Sequence, residues 1–146
     1  MTKKYVVAFD QGTTSTRTII FDEQGTIVSI SQKELKQFYP QSGWVEHDAN
    51  EIYNDQLETF HQAILDAKIN PKDIAAIGIT NQRETTVVWD RITEKPIYKA
   101  IVWLDKRTTS ICKDLKDKGL LKYIKKNTGL VIDSYFSGTK LKWILD

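Results

Sequence analysis

The chain opens on a hairpin-like stretch, Tyr5-Val-Val-Ala-Phe-Asp-Gln-Gly-Thr-Thr-Ser-Thr-Arg-Thr-Ile-Ile-Phe-Asp22. Two β-rich apolar runs, Tyr5–Phe9 and Thr18–Phe21, flank a polar segment with one glycine and four hydroxyl side chains. This pattern predicts a β-hairpin whose turn is functional. Alternating apolar residues return at Thr26–Ser31, so we expect an antiparallel three-strand meander over residues 4–34.

The turn of this hairpin carries groups suited to phosphate and metal. Gly12 can take a positive φ and let a ligand approach the backbone, and successive N–H groups of such a turn can bind an anion. Arg17 supplies a fixed positive charge for phosphate oxygens, and Asp10 can hold a hydrated Mg²⁺. Further hydroxyl donors are Thr13, Thr14, Ser15 and Thr16. The alternative is an ordinary hairpin with a Gly/Thr-rich turn.

The next segments indicate an α/β fold. Asp48 is the predicted N-cap of a helix over Ala49–Ala67. The apolar stripe of that helix is Ile52, Leu57, Phe60, Ile64 and Leu65. The run Ile74–Thr80 is apolar almost throughout, which predicts a strand buried on both faces. A strand–helix–strand order implies a crossover connection and a parallel component of the sheet.

The second half of the sequence alternates short apolar runs with helical patterns. Strands are predicted at Thr85–Asp90 and Ala100–Trp103, and Leu130–Phe136 is irregular. The predicted helices are Thr108–Lys118, Leu120–Asn127 and Thr139–Asp146. The last pattern has no cap, so we expect the natural polypeptide to continue. We expect the last helix to leave apolar side chains partly uncovered, which would favour self-association. These side chains are Leu141, Trp143, Ile144 and Leu145.

Three polar corners each follow an apolar strand: Asp10–Arg17, Thr80–Glu84 and Trp103–Arg107. Ligands of open α/β sheets bind outside the carboxyl ends of strands, so neighbouring strands would bring these corners to one cleft. Arg83 can donate to one hydroxyl and Glu84 can accept from another, which suits a vicinal diol. The alternative is a structural ion pair between these two side chains.

Three rings near the corners have open interpretations. Trp103 is either an apolar wall against a carbon skeleton or a core packing residue. Tyr135, in the irregular segment, is a lid or a surface residue, and the sequence favours the surface. His47 is interpreted as a local contact at the helix start in preference to a catalytic base.

Composition bounds the class of protein. The 146 residues carry a net charge of +2, with 40% hydrophobic and 27% charged residues, as in soluble globular proteins. No apolar run approaches the roughly 20 residues that span a bilayer, and the N-terminus lacks a signal-peptide pattern. Cys112 is the only cysteine, a predicted buried small hydrophobe, and the absence of a disulfide partner favours a cytoplasmic location. Acidic residues interrupt the basic stretch Lys106–Lys126, which is interpreted as a solvated helix face, so no nucleic acid or membrane partner is expected.

Several segments carry a recognisable pattern: Asp10–Ser15, Gly43–Asp48, Gly78–Thr86, Ile101–Trp103 and Tyr135–Lys140. In order and spacing they resemble the glycerol kinases, a branch of the carbohydrate kinases that share the actin/ribonuclease-H-like fold. The resemblance implies an α/β, ribonuclease-H-like (actin-like ATPase) mixed sheet with the N-terminal meander and flanking helices. It assigns residues 1–146 to the N-terminal part of the first of two domains, with the second domain absent from this chain.

The same resemblance implies phosphorylation of glycerol to sn-glycerol 3-phosphate, with ATP and Mg²⁺ as cofactors. The residues near the ATP phosphates would be Asp10, Gly12, Thr13, Thr14, Ser15 and Arg17, with Asp10 serving the metal. The glycerol pocket would be formed by Arg83, Glu84, Trp103 and Tyr135. Departures from the family pattern are Leu104, Lys106 and Ser134. The serine is expected to loosen the backbone before Tyr135.

By resemblance, the catalytic base is an aspartate outside this sequence, as is most of the adenine pocket. The 146-residue chain alone is therefore expected to be inactive as a kinase and to bind ATP weakly, and the full-length protein to form a homo-oligomer. The alternatives are a non-catalytic actin-like nucleotide-binding or sensor module, a kinase of another small polyol, and a ribonuclease-H-type nuclease. The nuclease would need several carboxylates around two metals about 4 Å apart, and Asp10 has no evident partners of this kind.

Overall fold

The computed structural model describes residues 4–146. The strands are β1 (Tyr5–Gln11), β2 (Ser15–Phe21), β3 (Ile27–Glu34), β4 (Glu46–His47), β5 (Ile74–Thr80) and β6 (Ala100–Ile101). The helices are α1 (Ala49–Ala67), α2 (Thr109–Asp117), α3 (Leu121–Thr128) and α4 (Ser137–Leu145). The chain divides into two compact units. The first contains the chain up to Lys36 together with Asp48–Gln82, and the second contains Gln37–His47 and Arg83–Asp146.

A four-stranded mixed sheet forms the first unit, in the order β3-β2-β1-β5. The strands β1, β2 and β3 pair antiparallel as the predicted meander, and β5 runs parallel to β1. The crossover helix α1 packs on one face, where Val7, Ile20 and Ala63 are fully buried. Side chains alternate between the two faces of each strand, so every second residue of β1 and β2 points toward this core. The predicted α/β class with a mixed sheet is confirmed.

Helix α1 begins where it is predicted to begin. The Asp48 carboxylate accepts hydrogen bonds from two N–H groups of the first turn, at 2.9 and 3.3 Å. The buried face differs in part from the predicted apolar stripe. Thr59 is buried and hydrogen-bonded to Thr18 of the sheet at 3.0 Å, whereas Leu65 is exposed. Because β2 presents threonines to the helix, polar side chains of α1 meet them there.

The prediction that Ile74–Thr80 is buried on both faces is wrong. This segment is the edge strand β5, and Ile77 and Ile79 are 48% and 74% exposed. Helix α1 contacts β2 and β3, which lie on the other side of β1 from β5. An unbroken apolar run indicates a strand but does not specify which residues cover it.

The second unit contains little regular strand. β4 pairs antiparallel with β6, and Thr86 forms a single bridge to Ile101. The predicted regular strand over Thr85–Asp90 is wrong, because this segment forms isolated bridges only. At its end, the Asp90 carboxylate accepts from two N–H groups of the following turn. The predicted helices are present as α2, α3 and α4, with bounds shifted by one or two residues, and the segment 130–136 is irregular.

A buried arginine cluster lies in the second unit. The Arg107 side chain donates to Asp105 at 2.8 and 2.9 Å and to Glu46 at 2.9 Å. Its guanidinium carbon lies 3.9 Å from the Trp44 ring centroid and 4.7 Å from that of Trp143. Burial alone lowers the pKa of Arg107, but the hydrogen bonds to the two carboxylates outweigh it and hold the pKa above its usual value. Trp143 thus packs against the cluster.

Two further residues that the sequence analysis singled out, His47 and Cys112, are buried in the same unit. The His47 ring hydrogen-bonds the side chain of Gln37 at 2.8 Å through Nε2, while Asp48 caps the helix start. Burial lowers the pKa of His47. Cys112 is buried, as predicted for a small hydrophobe. Among the helices of residues 4–146, none combines the length and the apolar composition that a membrane span requires.

Candidate functional site

The turn of the first hairpin is closed by its own backbone. The Gly12 N–H donates to the carbonyl oxygens of Ser15 at 3.0 Å and of Asp10 at 3.2 Å. Gly12 does not adopt a positive φ, contrary to the prediction. Glycine is favoured here for a different reason, since a Cβ would lie 3.0 Å from the Ser15 carbonyl oxygen. The absence of a side chain therefore lets the turn close tightly.

Asp10 and Arg17 face each other across this hairpin. They are register partners in β1 and β2, and Arg17 Nη2 donates to Asp10 Oδ2 at 2.7 Å. The two side chains are 34% and 41% exposed, respectively. Exposed pairs contribute about 0–1 kcal/mol, so an anion can displace the carboxylate at little cost. Arg17 Nε is buried and has no hydrogen-bond partner among the described residues.

The hydroxyl residues of the turn have different surroundings. Thr16 is buried and donates to Gln56 of α1 at 2.6 Å, so it belongs to the contact between sheet and helix. Ser15 Oγ accepts from the exposed Gln32 at 3.3 Å. Thr14 is exposed and Thr13 is half-buried. The turn therefore keeps hydroxyl groups of Thr13, Thr14 and Ser15 at least partly exposed, and hydroxyls of this kind can donate hydrogen bonds to an anion.

The surroundings of Asp10 fit a metal that is held mainly by phosphate. The described residues contain no group of three or more His, Cys, Asp or Glu side chains that could hold a metal ion. Mg²⁺ in nucleotide sites uses only one or two carboxylates, because waters and phosphate oxygens supply the remaining ligands.

The first polar corner and the start of the second, at Thr80, share one edge of the sheet. β1 and β5 are parallel neighbours, and Asp10 is in register with Thr80. Their carboxyl ends therefore coincide, as expected for a ligand edge of an α/β sheet. The residues from Arg83 onward, including the third corner at Trp103, belong to the second unit.

Glu84 combines an unusual backbone conformation with a fixed carboxylate. Its φ is +62°, in the left-handed region, which costs a non-glycine residue about 1–2 kcal/mol. Oε2 accepts from both the N–H and the Oγ–H of Ser137, each at 2.9 Å. Ser137 is the first residue of α4, so the carboxylate of Glu84 lies at the N-terminus of this helix. Arg83 is exposed, and the ion pairs within residues 4–146 do not join it to Glu84.

Trp103 and Tyr135 form an aromatic pair in the second unit. Their ring centroids are 5.8 Å apart with planes at 66°, an edge-to-face arrangement. Both residues are half-buried, and part of the Tyr135 ring is covered by Trp103. The Trp103 N–H donates to Thr85 Oγ1 at 3.4 Å, which brings the ring pair to the residue after Glu84.

The segment before Tyr135 is held in place even though serine occupies position 134. The Tyr135 N–H donates to Asp133 Oδ1 at 2.8 Å, and its carbonyl oxygen accepts from Lys140 Nζ at 2.6 Å. Lys140 is fully buried. Burial lowers the pKa of this ammonium group, and the charges of Asp105, Glu84 and Asp133 offset only part of that effect. The sequence analysis assigned no role to Lys140 or Ser137, although both lie in the recognised segment Tyr135–Lys140.

The residues predicted for phosphate therefore lie in the first unit, and those predicted for glycerol lie in the second. An antiparallel meander extended by a parallel strand through a crossover helix defines the ribonuclease-H-like, actin-like class of α/β domains. Residues 5–146 match the N-terminal domain of the FGGY family of carbohydrate kinases, and the chain belongs to that family.

Relatives of this chain include kinases of several small substrates. It is 62% identical to glycerol kinase 2 of Thermotoga maritima over 143 residues, which is 98% of this chain and 29% of that protein. The crystal structure of Plasmodium falciparum glycerol kinase with ADP has a TM-score of 0.89 and 36% identity, covering 98% of this chain and 29% of that chain. Gluconate kinase of Lactobacillus acidophilus has the same TM-score of 0.89 at 26% identity, covering 99% of this chain and 28% of that chain. The chain thus spans about 29% of the length of the glycerol kinases that it matches.

Proposed function

We propose that this chain is part of an ATP-dependent glycerol kinase. Such an enzyme transfers the γ-phosphoryl group of ATP to a terminal hydroxyl of glycerol and yields sn-glycerol 3-phosphate. One observation carries the proposal: the carboxylate of Glu84 is held by Ser137, two residues after Tyr135, and the ring of Tyr135 packs on Trp103. A carboxylate beside an aromatic wall suits a small molecule with hydroxyls on one side and carbon on the other.

Each side chain of the proposed pocket has a distinct task. Ser137 occupies Oε2 of Glu84, and Oε1 has no hydrogen bond within the described residues, so it can accept from a glycerol hydroxyl. The exposed guanidinium of Arg83 can donate to a second hydroxyl. The carbon chain would rest against Trp103, with Tyr135 closing the side of the pocket.

The first unit would hold the phosphates of ATP. We infer that a phosphate replaces Asp10 as the partner of Arg17, with further contacts from the hydroxyls of Thr13, Thr14 and Ser15. The carboxylate of Asp10, released from its pair, would then serve Mg²⁺. When bound, the metal neutralises phosphate charge and orients the transferred group for in-line attack. Positioning and charge stabilisation would carry most of the catalysis.

Glycerol is the favoured substrate within this family because of the degree of similarity. The bacterial glycerol kinase compared above is 62% identical to this chain, whereas the gluconate kinase of the same fold is 26% identical. Gluconate carries a carboxylate, which the anionic Glu84 would repel. The alternative is a kinase of another uncharged polyol. Comparing the rates of ADP release with glycerol and with other polyols would distinguish the two.

Further parts of the proposal concern location and assembly. A cytoplasmic enzyme is supported by the lone buried Cys112. Assembly of the full-length protein into a homo-oligomer is proposed from the family resemblance, and light scattering would measure it. The exposed Ile79 and Leu145 support self-association of this chain. The exposed Lys113–Asp117 pair at 2.7 Å on α2 supports a solvated face, and a nucleic acid is not proposed as a partner.

The proposal is tested on the product of the complete reading frame that contains these residues. ADP release should depend on glycerol and Mg²⁺, and should be far weaker with gluconate or xylulose. Glu84→Gln should lower kcat/KM for glycerol by about 10- to 100-fold, because a charged acceptor is lost. Glu94→Gln is the matched control, since Glu94 is an exposed glutamate with φ of +57°. Glycerol-independent ADP release, or equal effects of the two substitutions, would refute the proposal.

A further inference from the structure

Two residues of the first turn of α4 hold two residues of the proposed pocket, Glu84 and Tyr135, which lie far from each other in the sequence. Ser137 donates two hydrogen bonds to the carboxylate of Glu84, which is 53 positions away. Lys140, one helical turn further on, donates to the carbonyl oxygen of Tyr135 at 2.6 Å. Neither residue is among those assigned to contact glycerol.

The contact from Ser137 fixes an otherwise unfavourable conformation. Glu84 has a φ of +62°, a backbone state that persists only where surrounding contacts hold it. Two donors on Oε2 restrict the side chain to one orientation and leave Oε1 for a ligand. The contact is reciprocal, because the N-cap residue Phe136 makes no side-chain capping bond and the carboxylate of Glu84 caps α4 instead.

Lys140 is an unusual choice for a structural position. Its side chain is fully buried, and burying a charge is costly unless the charge has a specific partner. Its partner is the carbonyl oxygen of Tyr135, and the N–H of the same residue donates to Asp133. The ring of Tyr135 packs edge-to-face on Trp103. Anchoring this backbone therefore anchors the aromatic wall.

We propose that Ser137 and Lys140 are positioning residues for glycerol. Ser137 fixes the carboxylate of Glu84 so that Oε1 meets a substrate hydroxyl, and Lys140 fixes the backbone of Tyr135 so that its ring stays against Trp103. This inference rests on the proposed function, since it assigns Glu84 and Tyr135 to a glycerol pocket. It predicts that the two residues affect the use of glycerol and leave the use of ATP unchanged.

Steady-state kinetics on the product of the complete reading frame test this inference. Ser137→Ala should raise the KM for glycerol about tenfold and leave the KM for ATP unchanged, and Ser137→Thr should restore the parent value. Lys140→Met should have an effect of similar size on glycerol. Lys142→Met is its matched control, because Lys142 lies on the same helix, is exposed and pairs with Asp146 at the surface. Thermal unfolding of each variant separates positioning from stability.

The outcomes are distinct. A parent protein without glycerol-dependent phosphorylation would overturn the proposed function and this inference together. An active parent with an unchanged glycerol KM in Ser137→Ala would overturn the inference alone. Equal changes in the KM for glycerol and for ATP would also overturn it, because they indicate a general structural role. If Lys140→Met does not fold, Ser137→Ala and its threonine rescue decide the question.

Discussion

Replacing Arg107 with methionine would leave two buried carboxylates without their cation. The side chains of Asp105 and Glu46 are 1% and 6% exposed, and both accept from the guanidinium at 2.8–2.9 Å. Removing one partner of a buried ion pair costs about 3–5 kcal/mol. Loss of the stacking on Trp44, at 3.9 Å, adds about 1 kcal/mol. We therefore expect Arg107→Met to cost about 4–6 kcal/mol, a large part of the stability of an ordinary domain.

The distribution of tryptophan makes this loss measurable in one unit. All four tryptophans lie in the second unit, so tryptophan fluorescence during urea unfolding reports on that unit. Arg107→Lys keeps the charge but loses the planar fork, and should cost less than the methionine variant. Lys113→Met is the control, since it removes an exposed helical ion pair that contributes about 0–1 kcal/mol.

A second substitution distinguishes the cost of an unpaired buried carboxylate from a general loss of packing around Arg107. Adding Glu46→Gln to Arg107→Met removes one of the two orphaned anions, so the double variant should be more stable than the single one. A loss below about 1 kcal/mol in Arg107→Met would refute the reasoning, because a buried pair would then contribute no more than an exposed one. A double variant that is less stable than the single one would refute it as well.

Three further predictions concern other parts of the chain. Burial holds the pKa of His47 below about 6.5, so the folded state favours the neutral ring. The stability that the neutral His47 ring contributes is complete above that pH and is lost as the pH falls below it. Urea midpoints should show this loss in the parent and not in His47→Gln. Gly12→Ala should destabilise the first hairpin by about 1–3 kcal/mol, because the Cβ meets the Ser15 carbonyl oxygen; unchanged amide exchange in β1 and β2 would contradict this. Asp10→Asn frees Arg17, so ATP should bind more tightly without Mg²⁺ and gain less affinity from the metal, as titrations with and without Mg²⁺ would show.

Local patterns in the sequence were sufficient for elements whose partners are close in the chain. Alternation and turn residues predict β1, β2 and β3, because each strand pairs with its sequence neighbour. Asp48 predicts the start of α1, because a cap acts within one turn. Local patterns could not predict how exposed the side chains of β5 are. The exposure of Ile79 depends on where α1 lies and not on the sequence of the strand itself.

The contacts of the site residues depend on distances that the sequence does not contain. Asp10 and Arg17 were predicted to have separate tasks, and only the strand register shows that they pair at 2.7 Å. The sequence left open whether Glu84 forms an ion pair with its neighbour Arg83. In the structure its carboxylate accepts from Ser137, 53 residues away. Lys140 was missed because nothing in a helical pattern distinguishes a buried lysine from an exposed one.

A crystal structure of the product of the complete reading frame, grown with glycerol as the sole polyol, tests the central claim most directly. We predict glycerol hydroxyls within hydrogen-bond distance of Arg83 and of Oε1 of Glu84, with the carbon chain against Trp103. Oε2 of Glu84 should keep its two bonds to Ser137. Glycerol bound away from Glu84 and Trp103 would contradict the assignment of this pocket.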